Sequence, residues 1–290
     1  MRVTLFHNPG SGDEPRSAAE LTRMLEKAGF QVRYQSTKKS WKKAIQLPAD
    51  IFIAAGGDGT VAEVIHAAAG SGVPVAPLPI GTANNIARTL GIVGDAREIV
   101  EQWRKEAPRP FDIGTIKAAG LTERFVEGVG GGVFADAVLQ GEKVVDDPST
   151  LVGHVTDRAL TLVRQLLEGS RPARWGVEID GRDHSGDYLA VEVLNIRFVG
   201  PSIPLAAHAN PGDGRLDVAL LREEHRPLLL KYLTGRLEDA SALVPDLPVE
   251  RGREIRLDPP GTSLRMDDTI HDELEGKVEI GIEPGAVAIL

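Results

Sequence analysis

The chain has 290 residues, a formal net charge of −9, 26% charged residues and 42% hydrophobic residues. These values are typical of a soluble globular protein with one large or two ordinary domains. Cysteine is absent, which excludes disulfides, thiolate metal sites and cysteine nucleophiles. No apolar run reaches the ~18 residues of a membrane span, and the first residues lack a signal-peptide pattern. The acidic charge also argues against nucleic acid as a partner. Because cysteine is absent, we expect a cytoplasmic protein.

The first hundred residues alternate between predicted strands and predicted helices. The residue pattern predicts strands at 2–7, 31–35, 51–54 and 73–77, and helices at 15–28, 38–47, 61–70 and 82–90. This alternation predicts a parallel sheet with right-handed crossovers, a Rossmann-like α/β domain. Ligands of such sheets bind at the carboxyl ends of the strands.

The most informative segment is Gly56-Gly57-Asp58-Gly59-Thr60, which follows the third predicted strand. Glycines let the backbone approach a ligand, and N–H groups at a helix N-terminus bind phosphate. A tight strand–helix connection would also contain glycines, but Asp58 beside a phosphate requires Mg²⁺, water or a donor hydroxyl. The segment therefore indicates a nucleotide triphosphate and phosphoryl transfer. Two more polar loops, 8–12 and 79–85, fall at the same predicted edge.

Basic residues are concentrated near the N-terminus. Residues 1–45 contain nine Lys or Arg against four Asp or Glu, with a cluster formed by Lys38, Lys39, Lys42 and Lys43. This cluster fits a solvated helix face, and it also fits a surface for nucleotide phosphates or anionic headgroups.

Beyond residue 108, short β-type segments separated by Gly and Pro turns predict an antiparallel β-sandwich. Two helices, 150–168 and 225–237, interrupt it, and the apolar stripe of the first is expected to pack on a sheet. We therefore expect an α/β domain at 1–108 and a β-sandwich domain at 109–283. The last strand, about 284–290, is expected to return to the first domain.

Together these motifs resemble the diacylglycerol kinase catalytic-domain family, which includes sphingosine kinases and bacterial soluble lipid kinases. The resemblance extends over nearly the whole chain, and it rests on Asn8-Pro9-x-Ser11-Gly12, the Asp58 turn, Gly81-Thr82-Ala83-Asn84-Asn85-x-Ala87-Arg88, the Phe125–Gly132 strand and the segment Asn195 to Asp217. It implies an N-terminal nucleotide domain, a C-terminal β-sandwich and ATP-dependent phosphorylation of a lipid hydroxyl in the cleft between them.

The resemblance also implies site residues. Those expected to contact ATP or order its site are Asn8, Ser11, Gly12, Thr37, Gly56, Gly57, Asp58, Gly59, Thr60, Glu63, Gly81 and Thr82. Helix capping is the competing role for Thr37 and Thr82.

The same resemblance implies a metal site and a basic residue after the first motif. A structural Mg²⁺ would be held by Asp213 and the backbone carbonyls of Asn210 and Arg215, although an Asp-Gly turn explains Asp213 equally well. A lysine often follows the first motif in the family, and Arg16 is the expected substitute here.

The catalytic base departs from the family pattern. An Asp-Gly-Glu triplet is replaced by Asp267-Asp268-Thr269, and threonine is no base at neutral pH. We expect Asp267 to be the general base at a strand end, with Asp268 on the opposite face. If Asp267 is not the general base, Asp268 is the next candidate, or Glu273 after a register shift. The non-catalytic interpretation is that Asp267 and Asp268 only form an exposed acidic turn. A degenerate, regulatory nucleotide-binding protein is a rival function.

Parts of the sequence are also compatible with different functions. The Asp58 turn occurs in NAD kinases as well. Gly130-Gly131-Gly132-Val133-Phe134-Ala135 fits a dinucleotide fingerprint, but we expect neither a helix directly behind it nor a parallel strand after it.

The sequence predicts partners only in outline. Transient contact with a membrane surface is expected through 38–43 or through Arg171, Arg174 and Trp175. The lipid that would be phosphorylated is not specified by any motif, and a homodimer is left open.

Overall fold

The computed structural model describes residues 1–12, 16–118, 120–145, 155–238, 242–271 and 276–290. The chain forms two compact units. Unit 1 comprises Met1–Ile113, Pro211–Asp213 and Glu283–Leu290, and unit 2 comprises Gly114–Asn210 and Gly214–Ile282.

Unit 1 is built on a parallel sheet flanked by helices. Its elements are β1 (Arg2–His7), α1 (Ala18–Lys27), β2 (Gln31–Ser36), a 3₁₀ helix (Lys42–Gln46), β3 (Ile51–Gly56), α2 (Asp58–Ala68), β4 (Val75–Pro79), α3 (Asn85–Thr89) and α4 (Ala96–Gln102). The four strands lie in the order β4-β3-β1-β2, and each of the three neighbouring pairs is parallel. The predicted parallel α/β architecture is therefore confirmed.

The core of unit 1 explains why these segments form strands. Every residue of β3 is buried, as expected for a strand covered on both faces. Phe6 of β1 packs its ring 5.0 Å from that of Trp41 and 5.7 Å from that of Phe52, measured between ring centroids. Leu21 and Leu25 of α1 are fully buried one turn apart, so the helix turns one apolar stripe inward.

Several predicted boundaries in unit 1 were wrong. The helix after the glycine turn begins at Asp58 rather than Val61, because Gly57 is already its N-cap. The predicted helix at 82–90 begins only at Asn85, and the one at 38–47 shrinks to a five-residue 3₁₀ helix. The residue pattern also did not predict α4, whose start is fixed by a capping box between Asp95 and Glu98.

Unit 2 contains mostly antiparallel strands. Its elements are β5 (Arg109–Ala118, entering from unit 1), β6 (Leu121–Phe125), β7 (Gly128–Gly132), α5 (Val133–Val145), α6 (Val155–Gly169), β8 (Ala173–Ile179), β9 (Arg182–Asp183), β10 (Gly186–Tyr188), β11 (Ala190–Leu194), β12 (Phe198–Val199), β13 (Ile203–Pro204), β14 (Leu216–Leu221), α7 (Arg226–Glu238), β15 (Val249–Gly252), β16 (Ile255–Asp258), β17 (Leu264–Met266), β18 (Thr269–His271) and β19 (Val278–Ile289, ending in unit 1).

Two antiparallel layers form the core of unit 2. One is a six-stranded sheet in the order β15-β14-β11-β7-β17-β18, and the other runs β10-β8-β16 to the first half of β19. Side chains of both layers share one apolar cluster, with Val191 and Val218 from the first and Trp175 and Ile255 from the second. This arrangement confirms the predicted C-terminal β-sandwich.

Helices cover the other face of the six-stranded sheet. Leu160, Val163 and Leu167 of α6 are buried in a second apolar cluster with Leu194 of β11. The apolar stripe of α6 therefore packs on the sheet as predicted, although Val155 at its start is 63% exposed. The first part of the predicted helix, 150–154, lies outside the described residues.

The segment with the dinucleotide fingerprint continues directly into a helix. The expectation that no helix follows Gly132 was wrong, because α5 begins at Val133. Both neighbours of β7 are nevertheless antiparallel, so this strand and helix form no dinucleotide-binding unit.

Within the part of the chain that the structure describes, none of the helices is long and apolar enough to cross a membrane.

Candidate functional site

Three glycine-containing loops meet at the carboxyl ends of the parallel strands of unit 1. In chain order, the first is 8–12, the second 56–60 and the third 79–85. A Cβ built on Gly81 would lie 2.3 Å from the Cα of Gly57, and one built on Gly12 would lie 2.3 Å from the carbonyl oxygen of Ile80. Real Cβ atoms do not approach backbone so closely, so glycine is required where these loops touch. The loops predicted to share one edge of the sheet therefore do so.

Backbone hydrogen bonds connect the loops to the strands beneath them. The N–H of Ile80 donates to the carbonyl of Gly56 at 3.1 Å, and that of Asn8 donates to Ala55 at 3.0 Å. Thr37 joins from β2, since its N–H donates to the carbonyl of His7 at 2.9 Å and its hydroxyl to the same oxygen at 3.3 Å. The loops thus form one connected platform.

Asp58 is the carboxylate of this platform. Its Oδ1 accepts the N–H of Ile86, at the start of α3, at 2.9 Å. The first N–H groups of a helix have no partner within the helix, and Asp58 supplies one. Burial raises the pKa of the Asp58 carboxyl above its usual value, and N–H groups of Ile86, Asn85 and Asn84 oppose that rise. A partly buried carboxylate thus lies beside the N-termini of α2 and α3.

Asn84 holds the third loop closed, a role that the sequence did not predict. Its side-chain oxygen accepts the N–H of Gly81 at 3.0 Å, and its amide donates to the carbonyl of Gly81 at 2.7 Å. The backbone of Asn84 is left-handed, with φ of 53°. Asn tolerates that conformation better than most residues, so the Asn-Asn pair after Gly-Thr-Ala was a usable signal.

The helix-cap interpretation of the two threonines is wrong. The N-cap of α3 is Asn84, not Thr82, and the N-cap of the 3₁₀ helix is Trp41, not Thr37. Thr60 is buried, and a Cβ on Gly56 would lie 2.4 Å from its Cβ. Glu63 is exposed on α2. The nucleotide roles of these residues and of Ser11, Gly12 and Gly59 stay predictions.

Lys38, a member of the predicted basic cluster, lies beside the first loop, and the role of Arg16 there stays a prediction. A Cβ on Gly10 would lie 2.8 Å from the Nζ of Lys38. Arg16 is instead 3.6 Å from a carboxylate oxygen of Glu20 and 4.0 Å from one of Asp95. Part of the predicted basic cluster therefore lies next to the predicted nucleotide site.

In unit 2, Asp267 fixes the turn between β17 and β18. Its Oδ1 accepts the N–H groups of Glu127 at 2.8 Å and of Gly128 at 3.2 Å, and its two oxygens accept that of Val126 at 3.2 and 3.1 Å. Asp267 has a φ of 51°, so it lies in a left-handed turn. The expectation that Asp267 and Asp268 alternate along a strand was wrong, because β17 ends at Met266 and β18 begins at Thr269.

A buried ion pair supports this turn. Arg265 and Glu192 are 4% and 0% exposed in their side chains and are joined at 2.5 Å. The guanidinium also donates to the backbone carbonyl of Asp267 at 2.9 Å. Burial raises the pKa of Glu192, and the charge of Arg265 opposes that rise. Asp268 is exposed, and its carboxylate lies 3.4 Å from the hydroxyl of Thr269.

The predicted metal residues Asn210, Asp213 and Arg215 are divided between the two units. Among the described residues there is no group of three or more His, Asp or Glu side chains that could hold a metal ion. Mg²⁺ needs no such cage, since it usually takes one or two carboxylates, water and phosphate oxygens. Asp58 in unit 1 supplies the first of these, so the oxygen chemistry fits. The structural site at Asp213 stays a prediction.

Two further predicted residues have different outcomes. Trp175 is 1% exposed inside the sandwich core, so its predicted membrane contact is wrong. Glu273 lies outside the described residues.

The parallel α/β unit with its loop platform and the antiparallel β-sandwich form the architecture of the diacylglycerol kinase and NAD kinase class of folds. Residues 2–116 match the model of the diacylglycerol kinase catalytic domain, and residues 139–290 match that of the YegS C-terminal NAD kinase beta sandwich-like domain. The protein belongs to this diacylglycerol kinase family, and at family level it is a lipid kinase.

Individual relatives agree with this assignment. The chain is 28% identical over 248 residues to a diacylglycerol kinase of Bacillus subtilis, covering 81% of this chain and 78% of that protein. It also resembles the structure of a diacylglycerol kinase from Bacillus anthracis, with a TM-score of 0.71, 18% identity and coverage of 99% and 96% of the two chains. An NAD kinase from Archaeoglobus fulgidus in complex with ATP shares the fold at a TM-score of 0.52, with 9% identity and coverage of 100% and 93%.

Proposed function

We propose that the protein transfers the γ-phosphoryl group of Mg-ATP to the hydroxyl of a diacylglycerol-like lipid. The observation that carries this proposal is the meeting of three glycine-containing loops around Asp58, at the N-termini of α2 and α3. Backbone N–H groups at helix N-termini bind phosphate oxygens. The names of the family and of its relatives support a lipid as the acceptor.

The residues of unit 1 would bind and orient the nucleotide. Loops 8–12, 56–60 and 79–85 surround the phosphates, and the ammonium group of Lys38 is close enough to the first loop to join them. Mg²⁺, when bound with ATP, would neutralise phosphate oxygens, and Asp58 would hold it, directly or through water.

The residues of unit 2 would remove the proton of the lipid hydroxyl. A general base needs an oxygen that is open to the proton it accepts. The carboxylate of Asp267 already accepts three backbone N–H groups, whereas that of Asp268 is exposed. We therefore assign positioning of the turn to Asp267 and proton transfer to Asp268. The hydroxyl oxygen then bonds to the γ-phosphorus as its proton passes to Asp268, and ADP leaves.

The test is ATP consumption with a panel of lipid alcohols in mixed micelles, for wild type and for Asp58→Asn. The amide keeps an oxygen for the N–H of Ile86 but removes the charge, so the fold should be retained. We expect turnover to fall by about 10²–10³, as when one electrostatic group of an active site is lost. Asp187→Asn is the matched control, because Asp187 is an exposed partner of Arg174 at 3.8 Å. An Asp58→Asn variant with near wild-type turnover would refute the proposal.

The same assay separates the rival functions. Phosphorylation of NAD without phosphorylation of any lipid alcohol would indicate a small-molecule kinase, which the fold shared with an NAD kinase supports. ATP binding without turnover, restored by Thr269→Glu, would indicate a degenerate kinase. Because both outcomes require nucleotide binding, ATP affinity is measured in parallel.

A further inference from the structure

A basic groove separate from the three loops runs along α1 and α4 of unit 1. It encloses about 540 Å³, within the size range of small-ligand sites. Its cationic side chains are Arg16, Arg23, Lys27, Arg97 and Arg104. Only two acidic side chains, Glu20 and Glu101, line it. The groove is therefore strongly positive in a chain whose net charge is −9.

Two of the five cations are held in place by other groups. Arg104 donates to the carbonyl of Ala28, the C-cap of α1, at 2.7 Å, and Arg16 lies between Glu20 and Asp95. In the portion of the chain described, Arg23, Lys27 and Arg97 make no ion pair. Three cations thus share one concave surface with Glu101 but make no ion pair with it or with any other described residue.

The rest of the lining is apolar. Met24 and Ala28 of α1 and Val100 of α4 line the groove between the charged residues. Val100 is 1% exposed, whereas Met24 and Ala28 are partly exposed. A concave surface with cations around an apolar base suits a phosphate-bearing group attached to a less polar body better than it suits a bare inorganic ion.

We propose that this groove binds a phosphate-bearing anion, such as the phosphodiester headgroup of an anionic lipid or a soluble phosphomonoester. The proposal does not depend on the phosphoryl-transfer function, because among the described residues of unit 1 no hydrogen bond or ion pair joins a groove residue to the Asp58 loops. With a lipid headgroup in the groove, the membrane contact lies at α1 and α4, and not at Lys42 and Lys43 or at the buried Trp175.

The test measures binding of the full chain to phosphatidylglycerol vesicles, to phosphatidylcholine vesicles and to glycerol 3-phosphate. The test variant combines Arg23→Glu and Arg97→Glu, and the matched control combines Lys42→Glu and Lys43→Glu, which changes the net charge equally. Each basic residue near an anionic surface contributes appreciably to binding, so we expect the groove variant to bind phosphatidylglycerol vesicles roughly tenfold or more weakly. The control should lose much less.

The binding measurements with vesicles and with glycerol 3-phosphate distinguish a lipid headgroup from a soluble phosphomonoester as the ligand. Binding of glycerol 3-phosphate that is lost in the groove variant supports a discrete phosphomonoester site. Binding of phosphatidylglycerol vesicles alone, lost in the same variant and weakened by salt, supports docking on a lipid surface. Equal losses in both variants would show an effect of net charge only and overturn the proposal. Wild-type binding by the groove variant, or no binding by wild type to either phosphate probe, would also overturn it. Unchanged thermal unfolding of both variants confirms that the fold is intact.

Discussion

At the scale of single residues, Lys38 and Arg16 are the two candidates for the cation beside the nucleotide phosphates. The family lysine after the first motif is absent, and sequence position alone favours Arg16 because it is the first basic residue after the loop. The contacts favour Lys38, because Arg16 is directed to Glu20 and Asp95. We therefore propose that Lys38, which follows the end of β2, takes the place of the lysine that often follows the first motif in the family.

We predict that Lys38→Gln weakens ATP binding more than AMP binding. A hydrogen bond to a charged group contributes about 1.5–3 kcal/mol, so the ATP dissociation constant should rise roughly tenfold or more. Lys39→Gln is the control, since it removes the adjacent charge from the same exposed segment. Equal effects of the two variants on ATP would show that only the local charge matters. A strong effect of Arg16→Gln with none of Lys38→Gln would restore the sequence-based assignment.

The adjacent carboxylates of the β17–β18 turn should respond differently to the same substitution. Asp267→Asn should lower thermal stability, because one amide oxygen replaces a carboxylate that accepts from Val126, Glu127 and Gly128. We expect a loss of about 1–3 kcal/mol in the free energy of unfolding. Asp268→Asn should leave stability unchanged and reduce turnover by about 10²–10⁴, as for a general base.

Kinetics and unfolding measured on the same samples separate these roles. A folded Asp267→Asn protein with lost turnover, next to an active Asp268→Asn protein, would return the base to Asp267. Loss only in Glu273→Gln would place the base outside both. Thr269→Glu, which restores the family residue, should preserve or raise turnover.

At the scale of elements, the contact between the second and third loops depends on the absence of a side chain at Gly81. Gly81→Ala should push the loops apart, because the new Cβ would lie 2.3 Å from Gly57. We expect about 1–3 kcal/mol of lost stability, typical of overpacking, together with weaker ATP binding. Gly169→Ala is the control, since that site has open space. Calorimetry of unfolding and ATP titration provide the check, and a Gly81→Ala protein with unchanged ATP affinity would contradict the role of this contact.

The elements that sequence predicted well are those whose pattern is set by burial. The strand at 51–56 is apolar throughout because both faces are covered, and it was placed correctly to within two residues. Helix starts were less predictable, because they depend on backbone conformation. Asn84 in a left-handed conformation delays α3, and the reciprocal bonds of Asp95 and Glu98 begin a helix too short to show apolar periodicity.

The site was predictable where chemistry is carried by motif residues and unpredictable where it depends on distant contacts. The grouping of the three loops follows from parallel strand order, so the sequence predicts it. The backbone donors to Asp267 lie about 140 residues away in the chain, so no local pattern reveals them. The same is true of the groove, whose cations come from two segments, 16–27 and 97–104, that are about 70 residues apart in the chain.

At the scale of the whole molecule, the chain leaves unit 1 at Ile113 and contributes two later segments to it. The N–H of Gly285 donates to the carboxylate of Asp112 at 2.7 Å, and that of Leu290 donates to the carbonyl of Val75 at 3.0 Å. Ile289 pairs with Val75 in parallel and is fully buried. Because β4 leads directly into the loop that contains Gly81, the end of the chain supports the strand beneath the proposed nucleotide site.

We therefore predict that Ile289→Ala destabilises unit 1 and loosens its loops. Truncating a buried isoleucine costs about 2–5 kcal/mol, whereas Val93→Ala, at a side chain that is 64% exposed, should change stability by about 0.5 kcal/mol or less. Relative to the wild type, hydrogen exchange in the Ile289→Ala variant should accelerate in β3 and β4 more than in β11, which lies in the other unit. ATP affinity should fall in parallel with that loss of protection. Faster exchange confined to residues 283–290 would show that the last strand only covers the sheet and does not support the site.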